Sequence, residues 1–209
     1  NLLELAVLLT IESMKRFPTL QADQFLRENL PLLTPRVANL SHQDVVSSVL
    51  ISGDGKYLIT GSRDDLVQVW ELQTGRKVSN IKHRPQLTAI AFSGDGKYVG
   101  TGNEGGVVQV WELMTGREIT GLKHRGRIRG IAFSPDGHYF ASGSTEDQLV
   151  ISATTDGHEV ARLAPEGGAV AVAFSPDGKL IAASSGWGMI NVWDTANQTQ
   201  LTSMQPQIA

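Results

Sequence analysis

The sequence contains no cysteine, which excludes disulfide bonds, thiolate nucleophiles and cysteine-bound metals and is compatible with a reducing compartment. Its longest apolar run, near Leu5–Ile11, is shorter than the roughly 20 residues that a membrane-spanning helix needs. The run also lacks the basic region and the small-residue cleavage site of a signal peptide. A net charge of −3 gives the whole molecule no bulk attraction for polyanions. We therefore expect a cytoplasmic protein with no membrane partner.

What the sequence does have is a repeat. The stretch Ile51–Tyr57 returns as Phe92–Tyr98, Phe133–Tyr139 and Phe174–Leu180, at intervals of 41 residues without insertion or deletion. A fixed interval of this size is typical of repeat architectures, in which each repeat is one supersecondary unit that packs on its neighbours. Because the sequence starts at Asn1 rather than at methionine, we expect it to be a segment of a longer protein.

Residues 1–35 differ from the repeats and predict a helical hairpin. Leu5 and Leu8 belong to a series with helical spacing, and Pro18 forces the residue before it out of the helical region. Thr19 is suited to cap a second helix. The apolar faces of both helices indicate a packing element that leads into the next domain. Their polar faces are not basic enough for helices that lie on a membrane.

From residue 36 onward the spacing of apolar residues changes to two, which predicts β-strands. Each repeat contains an alternating strand that ends in tryptophan or its replacement: Val67–Trp70, Val108–Trp111, Leu149–Ser152 and Ile190–Trp193. Asp-Gly and Thr-Gly pairs supply turns between strands. Four short strands per repeat form a small antiparallel sheet, which cannot bury both faces alone and must stack on its copies.

These repeats resemble the WD-repeat β-propeller family over residues 36 to about 204. The family pattern has a histidine before the first strand, a serine or threonine in the second, an aspartate in the following turn and Trp-Asp closing the third. The first repeat carries these residues as His42, Ser62, Asp64 and Trp70, with Glu71 in place of the family's last aspartate. The resemblance implies that the four side chains form a hydrogen-bonded structural relay, complete only in this repeat.

The resemblance implies a mostly β fold, a WD-repeat propeller of four blades preceded by the helical hairpin. The propeller occupies residues 36–209, with repeats at about 42–82, 83–123, 124–164 and 165–205. Closed rings of this family usually have about seven or more blades, so four blades are expected to be part of a larger ring. Either further blades follow Ala209, or the chain is a self-association module and two copies close an eight-bladed ring.

The segment before the repeats resembles the linker that precedes WD repeats in bacterial multidomain proteins. The resemblance rests on Leu8–Ser13, Phe17–Leu20, Gln24–Arg27 and Leu32–Leu33. In such proteins the upstream signalling domain is often a STAND-type nucleotide-binding domain, a caspase-like protease or a TIR domain. The resemblance implies that the chain is the ligand-sensing or scaffolding part of a bacterial signalling or defence protein.

The residues supply no catalytic, cofactor-binding or metal-binding set. His42, His83 and His124 recur at the repeat interval, so we expect them to be too far apart to share one metal ion. One aspartate per Asp-Gly turn does not supply the oxygens of a calcium site, and no Walker-type phosphate loop occurs. We predict a non-enzymatic protein without a cofactor. The alternative is a hydrolase-type propeller enzyme with its site around a central channel.

Two matching loops carry the strongest local positive charge. The candidate partner-binding residues are Lys82, Arg84, Lys123, Arg125, Arg127 and Arg129. In the family this loop lies on the face that usually binds partners, so the resemblance implies a protein or peptide partner. The basic charge indicates an acidic peptide or phosphate groups. The alternative is a solvated surface neutralised by Asp64, Asp65, Glu104, Glu146 and Asp147.

Aromatic residues that would stack on single-stranded nucleic acid are absent from these loops, which disfavours a nucleic-acid partner. Trp187 stands where the family has the turn aspartate. If it is exposed we expect it to anchor a partner, and packing into the central opening is the alternative. The sequence therefore predicts a non-catalytic protein–protein interaction module.

Overall fold

The computed structural model describes residues 42–84, 86–146, 148–165 and 167–205. Among these residues, His42–Glu71 and those from Lys77 onward belong to one compact unit. The helical hairpin expected for residues 1–35 lies outside the described residues and stays a prediction, as does a domain boundary at residue 36.

The described residues contain sixteen strands, which form four antiparallel sheets of four. In chain order they are β1 (Val46–Ile51), β2 (Tyr57–Ser62), β3 (Leu66–Glu71), β4 (Arg76–Lys82), β5 (Leu87–Phe92), β6 (Tyr98–Asn103), β7 (Val107–Glu112), β8 (Glu118–Lys123), β9 (Ile128–Phe133), β10 (Tyr139–Ser144), β11 (Leu149–Ala153), β12 (Glu159–Leu163), β13 (Ala171–Phe174), β14 (Leu180–Ser184), β15 (Ile190–Asp194) and β16 (Gln200–Met204). Each sheet takes four consecutive strands in chain order, and we call the sheets blades 1 to 4. The prediction of four short strands per repeat is confirmed.

The turn between the first two strands of each blade explains why one seven-residue pattern recurs. In blade 1 the Ser52 hydroxyl donates to Asp54 Oδ1 at 2.7 Å, and the same oxygen accepts from the Lys56 N–H at 3.1 Å. Ser52 Oγ accepts from the Tyr57 N–H at 2.9 Å, and Gly55 has a φ of 70°, which glycine adopts without steric cost. Blades 2, 3 and 4 repeat these hydrogen bonds. Local side chains therefore close every one of these turns.

The blades pack face to face through their middle strands. Between blades 1 and 2, Val67 and Val69 share an apolar cluster with Trp111. The corresponding clusters of blades 2 and 3 and of blades 3 and 4 contain Val108, Val110, Phe140, Leu149, Ile151 and Trp193. Successive residues of a strand point to opposite faces of its blade. Both faces are buried when the blade lies between two others, because neither face then contacts water.

Blade 4 presents an open apolar face, which we define by Leu180, Ile190 and Met204 and call the blade 4 face. Ile190 is 38% exposed, although the residues at its position in the other three blades are fully buried: Val67, Val108 and Leu149. Met204 is likewise 49% exposed, whereas Ile81 at the same position of blade 1 is at 0%. The side chains suited to a blade interface are therefore present on blade 4 without a neighbour among the described residues.

The first strands of the blades lie next to one another, since β5 contacts β1 and β9, and β9 contacts β13. Strands β1, β5 and β9 each contain a one-residue β-bulge at the equivalent position. The unpaired residues are Ser47, Thr88 and Arg129. A bulge leaves one residue outside the hydrogen-bond ladder and redirects its side chain. The side chains at these three positions therefore point in a different direction from the alternating side chains of their strands.

Candidate functional site

The structure brings together His42, Asp64 and Trp70, as the resemblance implies, but the hydroxyl between them belongs to Thr60. The Trp70 indole N–H donates to Thr60 Oγ1 at 3.1 Å, and Thr60 Oγ1 lies 2.6 Å from His42 Nε2. His42 Nδ1 lies 3.1 Å from Asp64 Oδ2. An ionised carboxylate only accepts, so Nδ1 carries the proton and Nε2 accepts from the Thr60 hydroxyl. The order of donation is Trp70 to Thr60, Thr60 to His42 and His42 to Asp64.

Ser62, which the sequence placed in this relay, has a different role. Its hydroxyl oxygen accepts from the Asp64 N–H at 3.3 Å and thereby supports the turn between β2 and β3. Thr60 and Ser62 lie two residues apart on one strand, so both face the same side and alternation cannot separate them. The strand register does separate them, because Leu58 pairs with Trp70 and Thr60 pairs with Gln68, which puts Thr60 diagonal to Trp70.

Asp64 is held as a carboxylate although its side chain is only 8% exposed. Burial acts against the charged form. Hydrogen bonds from the Gln43 N–H, from His42 and from the Leu66 N–H outweigh burial and lower the pKa of Asp64 below its ordinary value. The aspartate therefore ties the segment before β1 to the turn after β2.

Later blades keep only parts of the relay. In blade 2, Trp111 Nε1 donates to Thr101 Oγ1 at 2.8 Å, and His83 Nδ1 contacts the Arg84 carbonyl oxygen instead. In blade 3, His124 Nε2 lies 2.9 Å from Ser142 Oγ, and Ser152 replaces the tryptophan. The hydroxyl of the relay thus recurs at the repeat interval as Thr60, Thr101 and Ser142, two residues before the predicted position.

The candidate partner-binding residues all belong to one end of the blades, where the fourth strand of one blade leads into the first strand of the next. We call the set Lys82, Arg84, Lys123, Arg125, Arg127 and Arg129 the basic end. Five of the six are exposed, and Arg127 is half-buried. The Asp-Gly turns lie at the opposite end, because successive strands of each sheet run antiparallel.

The residues of the basic end lie in different local environments. Arg127 Nη1 pairs with Glu104 Oε1 at 3.2 Å, as expected for the neutralised-surface alternative. Arg84 and Lys123 line one cavity of about 490 Å³ together with Glu118. Arg129 lines another cavity of about 470 Å³, to which the first strands of all four blades contribute. The structure therefore places Arg127 in an ion pair and Arg129 in a different cavity from Arg84 and Lys123.

Trp187 is 69% exposed on the turn between β14 and β15. A Cβ added to Gly167 would lie 2.8 Å from Trp187 Cδ2, so one face of the indole lies against this glycine. Trp187 is not among the residues that line the cavity shared by the four first strands. Its other surface is open to solvent.

The part of the chain that the structure describes offers neither a metal-binding cluster nor a membrane-spanning helix. Within these residues no group of three or more His, Asp or Glu side chains is placed to hold a metal ion. No helix within this range is long and apolar enough to cross a bilayer.

Four-stranded sheets stacked in chain order, Asp-Gly turns and a buried His–Thr–Trp relay define a β-propeller module of repeated blades. The model of the WD domain, G-beta repeat family matches residues 35–71, 75–112, 116–151 and 152–194. These segments make up more than half of the chain, so the protein belongs to this family. Members of the family are generally protein-interaction modules and typically non-catalytic.

Comparison with curated proteins gives no match. Among solved structures the chain is similar to the computationally designed Ika8 protein, with 24% identity and a TM-score of 0.69 over 78% of this chain and 50% of that one. It is also similar to the Cps50 (Swd1) β-propeller domain of Myceliophteria thermophila, with 22% identity and a TM-score of 0.72 over 82% of this chain and 58% of that one. The chain thus spans about half the length of these structures, and the likeness shows the fold alone.

Proposed function

We propose that the protein is a non-catalytic protein–protein interaction module whose partner docks on the basic end. The observation that carries the proposal is a contrast within this end of the blades. The relay residues Thr60 and His42 are buried and hydrogen-bonded to one another, whereas Lys82, Arg84 and Lys123 are exposed. Buried polar groups with partners stabilise the frame, and exposed cations are available to a ligand.

The mechanism that fits this contrast is the presentation of partner-binding loops on a rigid set of blades. Apolar clusters join each blade to the next, so the connecting loops are held on a stiff frame. A partner that docks on blade 2 would meet positive charge from both Arg84 and Lys123, which favours an acidic segment. Trp187 offers an apolar contact on blade 4, and exposed tryptophan is a frequent anchor of interfaces.

The cellular setting that we propose is the cytoplasm of a bacterium, where this module is the sensing or scaffolding part of a multidomain signalling or defence protein. The support is the resemblance of the segment 1–35 to the linkers of such proteins. In this scheme the segment passes partner binding to an upstream domain. Deleting residues 1–35 from the full-length protein should abolish partner-dependent signalling while partner binding persists. Intact signalling after the deletion would contradict the scheme.

Charge reversal tests the docking surface. The variant with Arg125, Arg127 and Arg129 all changed to glutamate should lose the partner that the wild-type protein retains in an affinity capture. The matched control changes Lys56, Lys97 and Lys179 to glutamate, because these exposed lysines lie at the opposite end and the charge change is the same. A partner retained equally by wild type and both variants would remove the basic end as the docking surface.

A second candidate function is self-association through the blade 4 face. The specific observation is that Ile190 and Met204 are exposed at positions that other blades bury against a neighbour. Apolar side chains in this register are suited to another blade, and a second copy of the chain is the occupant that we propose for this candidate.

Light scattering of the purified chain tests self-association. A dimer that dissociates on changing Ile190 and Met204 to glutamate would support it. A monomeric wild-type protein would contradict self-association and would favour the alternative from the sequence, in which a further blade covers this face.

A further inference from the structure

The side chain at the bulge of the first strand differs in type between blades 1, 2 and 3, and this difference indicates a ligand-binding residue. Ser47, Thr88 and Arg129 are the unpaired bulge residues of β1, β5 and β9. In blades 1 and 2 the side chain is a hydroxyl that bonds back to the neighbouring strand. Ser47 Oγ donates to the Gly61 carbonyl at 3.3 Å, and Thr88 Oγ1 lies 3.2 Å from the Gly102 carbonyl oxygen and 2.6 Å from that of Ile128.

Arg129 occupies the same position in blade 3 without such a role. Neither a hydrogen bond nor an ion pair of its side chain is found among the described residues, and the side chain is exposed. Arg127, two residues earlier, is paired with Glu104 at 3.2 Å. A guanidinium carries five N–H donors and remains charged. Arg129 therefore has donors that no acceptor among the described residues uses. Blades 1 and 2 show that a hydroxyl side chain at this position is enough to form the strand.

The cavity that Arg129 lines has a matching composition. It measures about 470 Å³, within the range of roughly 300–1,000 Å³ that is common for ligand sites. Its lining includes Ser48 and Thr88 but no aspartate or glutamate, so Arg129 supplies its charge.

We propose that Arg129 binds a carboxylate side chain of the partner, which enters the cavity between the first strands. A carboxylate presents two oxygens to the guanidinium fork, and this pairing adds geometric specificity to its energy. The inference rests on the proposed function, since it names the chemistry of the partner and one residue that reads it. Arg84 and Lys123 line a different cavity and serve as an internal comparison.

The test uses the whole chain and two blocked fluorescent peptides, Gly-Ser-Glu-Glu-Ser-Gly and its neutral counterpart Gly-Ser-Gln-Gln-Ser-Gly, at low ionic strength. Fluorescence anisotropy compares wild type with Arg129→Gln, Arg129→Lys, Arg84→Gln, Lys123→Gln and the control Lys97→Gln. We expect Arg129→Gln to bind the glutamate peptide about tenfold more weakly or worse, since a hydrogen bond to a charged group is lost. Arg129→Lys should be intermediate, because lysine keeps the charge without the fork. Lys97→Gln, a control at the opposite end of the blades, should change binding by at most about twofold.

Two controls make the result specific to the site. The thermal midpoint of Arg129→Gln should equal that of the wild type, because Arg129 has no partner within the described residues to lose. Amide shifts of Gly130 and Ile131, which line the same cavity, should follow the glutamate peptide and not the glutamine peptide.

The outcomes separate this inference from the proposed function. If Arg129→Gln binds like the wild type while Arg84→Gln or Lys123→Gln binds more weakly, the Arg129 site is overturned and docking on the basic end stands. If the wild type does not prefer glutamate over glutamine, both the Arg129 site and the acidic character of the partner are overturned, and partner capture decides the docking surface separately.

Discussion

The Trp70 indole N–H donates to the hydroxyl of Thr60 at 3.1 Å, across two paired strands and ten residues of sequence. This bond links the third strand of blade 1 to its second, and through His42 it reaches the segment before the first. The relay therefore holds parts of the blade that the ladder of backbone hydrogen bonds does not join directly.

Thr60→Val tests this link, because valine keeps the shape of threonine and removes the hydroxyl. The Trp70 N–H and His42 Nε2 would both be left unpaired in a buried place, so we expect a loss of about 1–3 kcal/mol in the free energy of unfolding. Ser62→Ala removes only the acceptor of the Asp64 N–H and should cost less. Denaturant unfolding of both variants is the measurement. A larger loss for Ser62→Ala would restore the serine to the relay.

Acid should weaken the fold partly through Asp64. Its pKa in the folded chain lies below the ordinary 3.8, so its contribution to stability is present above that value and is lost as the pH falls through the lower, folded pKa. Asp64→Asn should be less stable than wild type near neutral pH, and the two should converge in acid. Urea unfolding as a function of pH measures this. Curves that stay parallel would mean that Asp64 is not the group involved.

Gly102 should be intolerant of a side chain because blade 3 lies directly against it. A Cβ there would meet Ile128 Cγ2 at 2.4 Å, in the interface of blades 2 and 3. We expect Gly102→Val to lower the free energy of unfolding by about 1–3 kcal/mol or more, as overpacking does. Gly53→Ala is the control, since no atom lies within 4 Å of its added Cβ, and it should change stability by less than about 0.5 kcal/mol. Equal effects would contradict the packing.

Leu149 and Ile190 occupy equivalent positions but differ in burial, so we expect an introduced charge to destabilise the fold much more at Leu149 than at Ile190. Leu149→Asp places a carboxylate in the cluster between blades 3 and 4 and should cost more than about 4 kcal/mol or abolish folding. Ile190→Asp, one repeat later and 38% exposed, should cost about 1 kcal/mol or less. Circular dichroism melting of the two variants measures the difference. A folded Leu149→Asp variant beside an unfolded Ile190→Asp variant would reverse the assignment of the buried and open faces.

The turns and strands were predictable because their causes are local. Ser52, Asp54 and Gly55 close their turn with hydrogen bonds that span a few residues, and the same residue types recur at each repeat. The relay was predictable only in part. Thr60 and Ser62 are both hydroxyl residues on one face, and the choice between them depends on which residue the register places diagonal to Trp70.

The sequence by itself determined the blades, since their spacing, alternation and turn chemistry act within about 41 residues of chain. It also marked the basic residues, but as one patch. Only the tertiary structure decided their settings: Arg127 meets Glu104, Arg84 shares a cavity with Lys123, and Arg129 leaves the ladder at a bulge. The physical reason is that neighbours brought together by packed blades lie far apart along the chain, and a residue's charge does not state which of them it will meet.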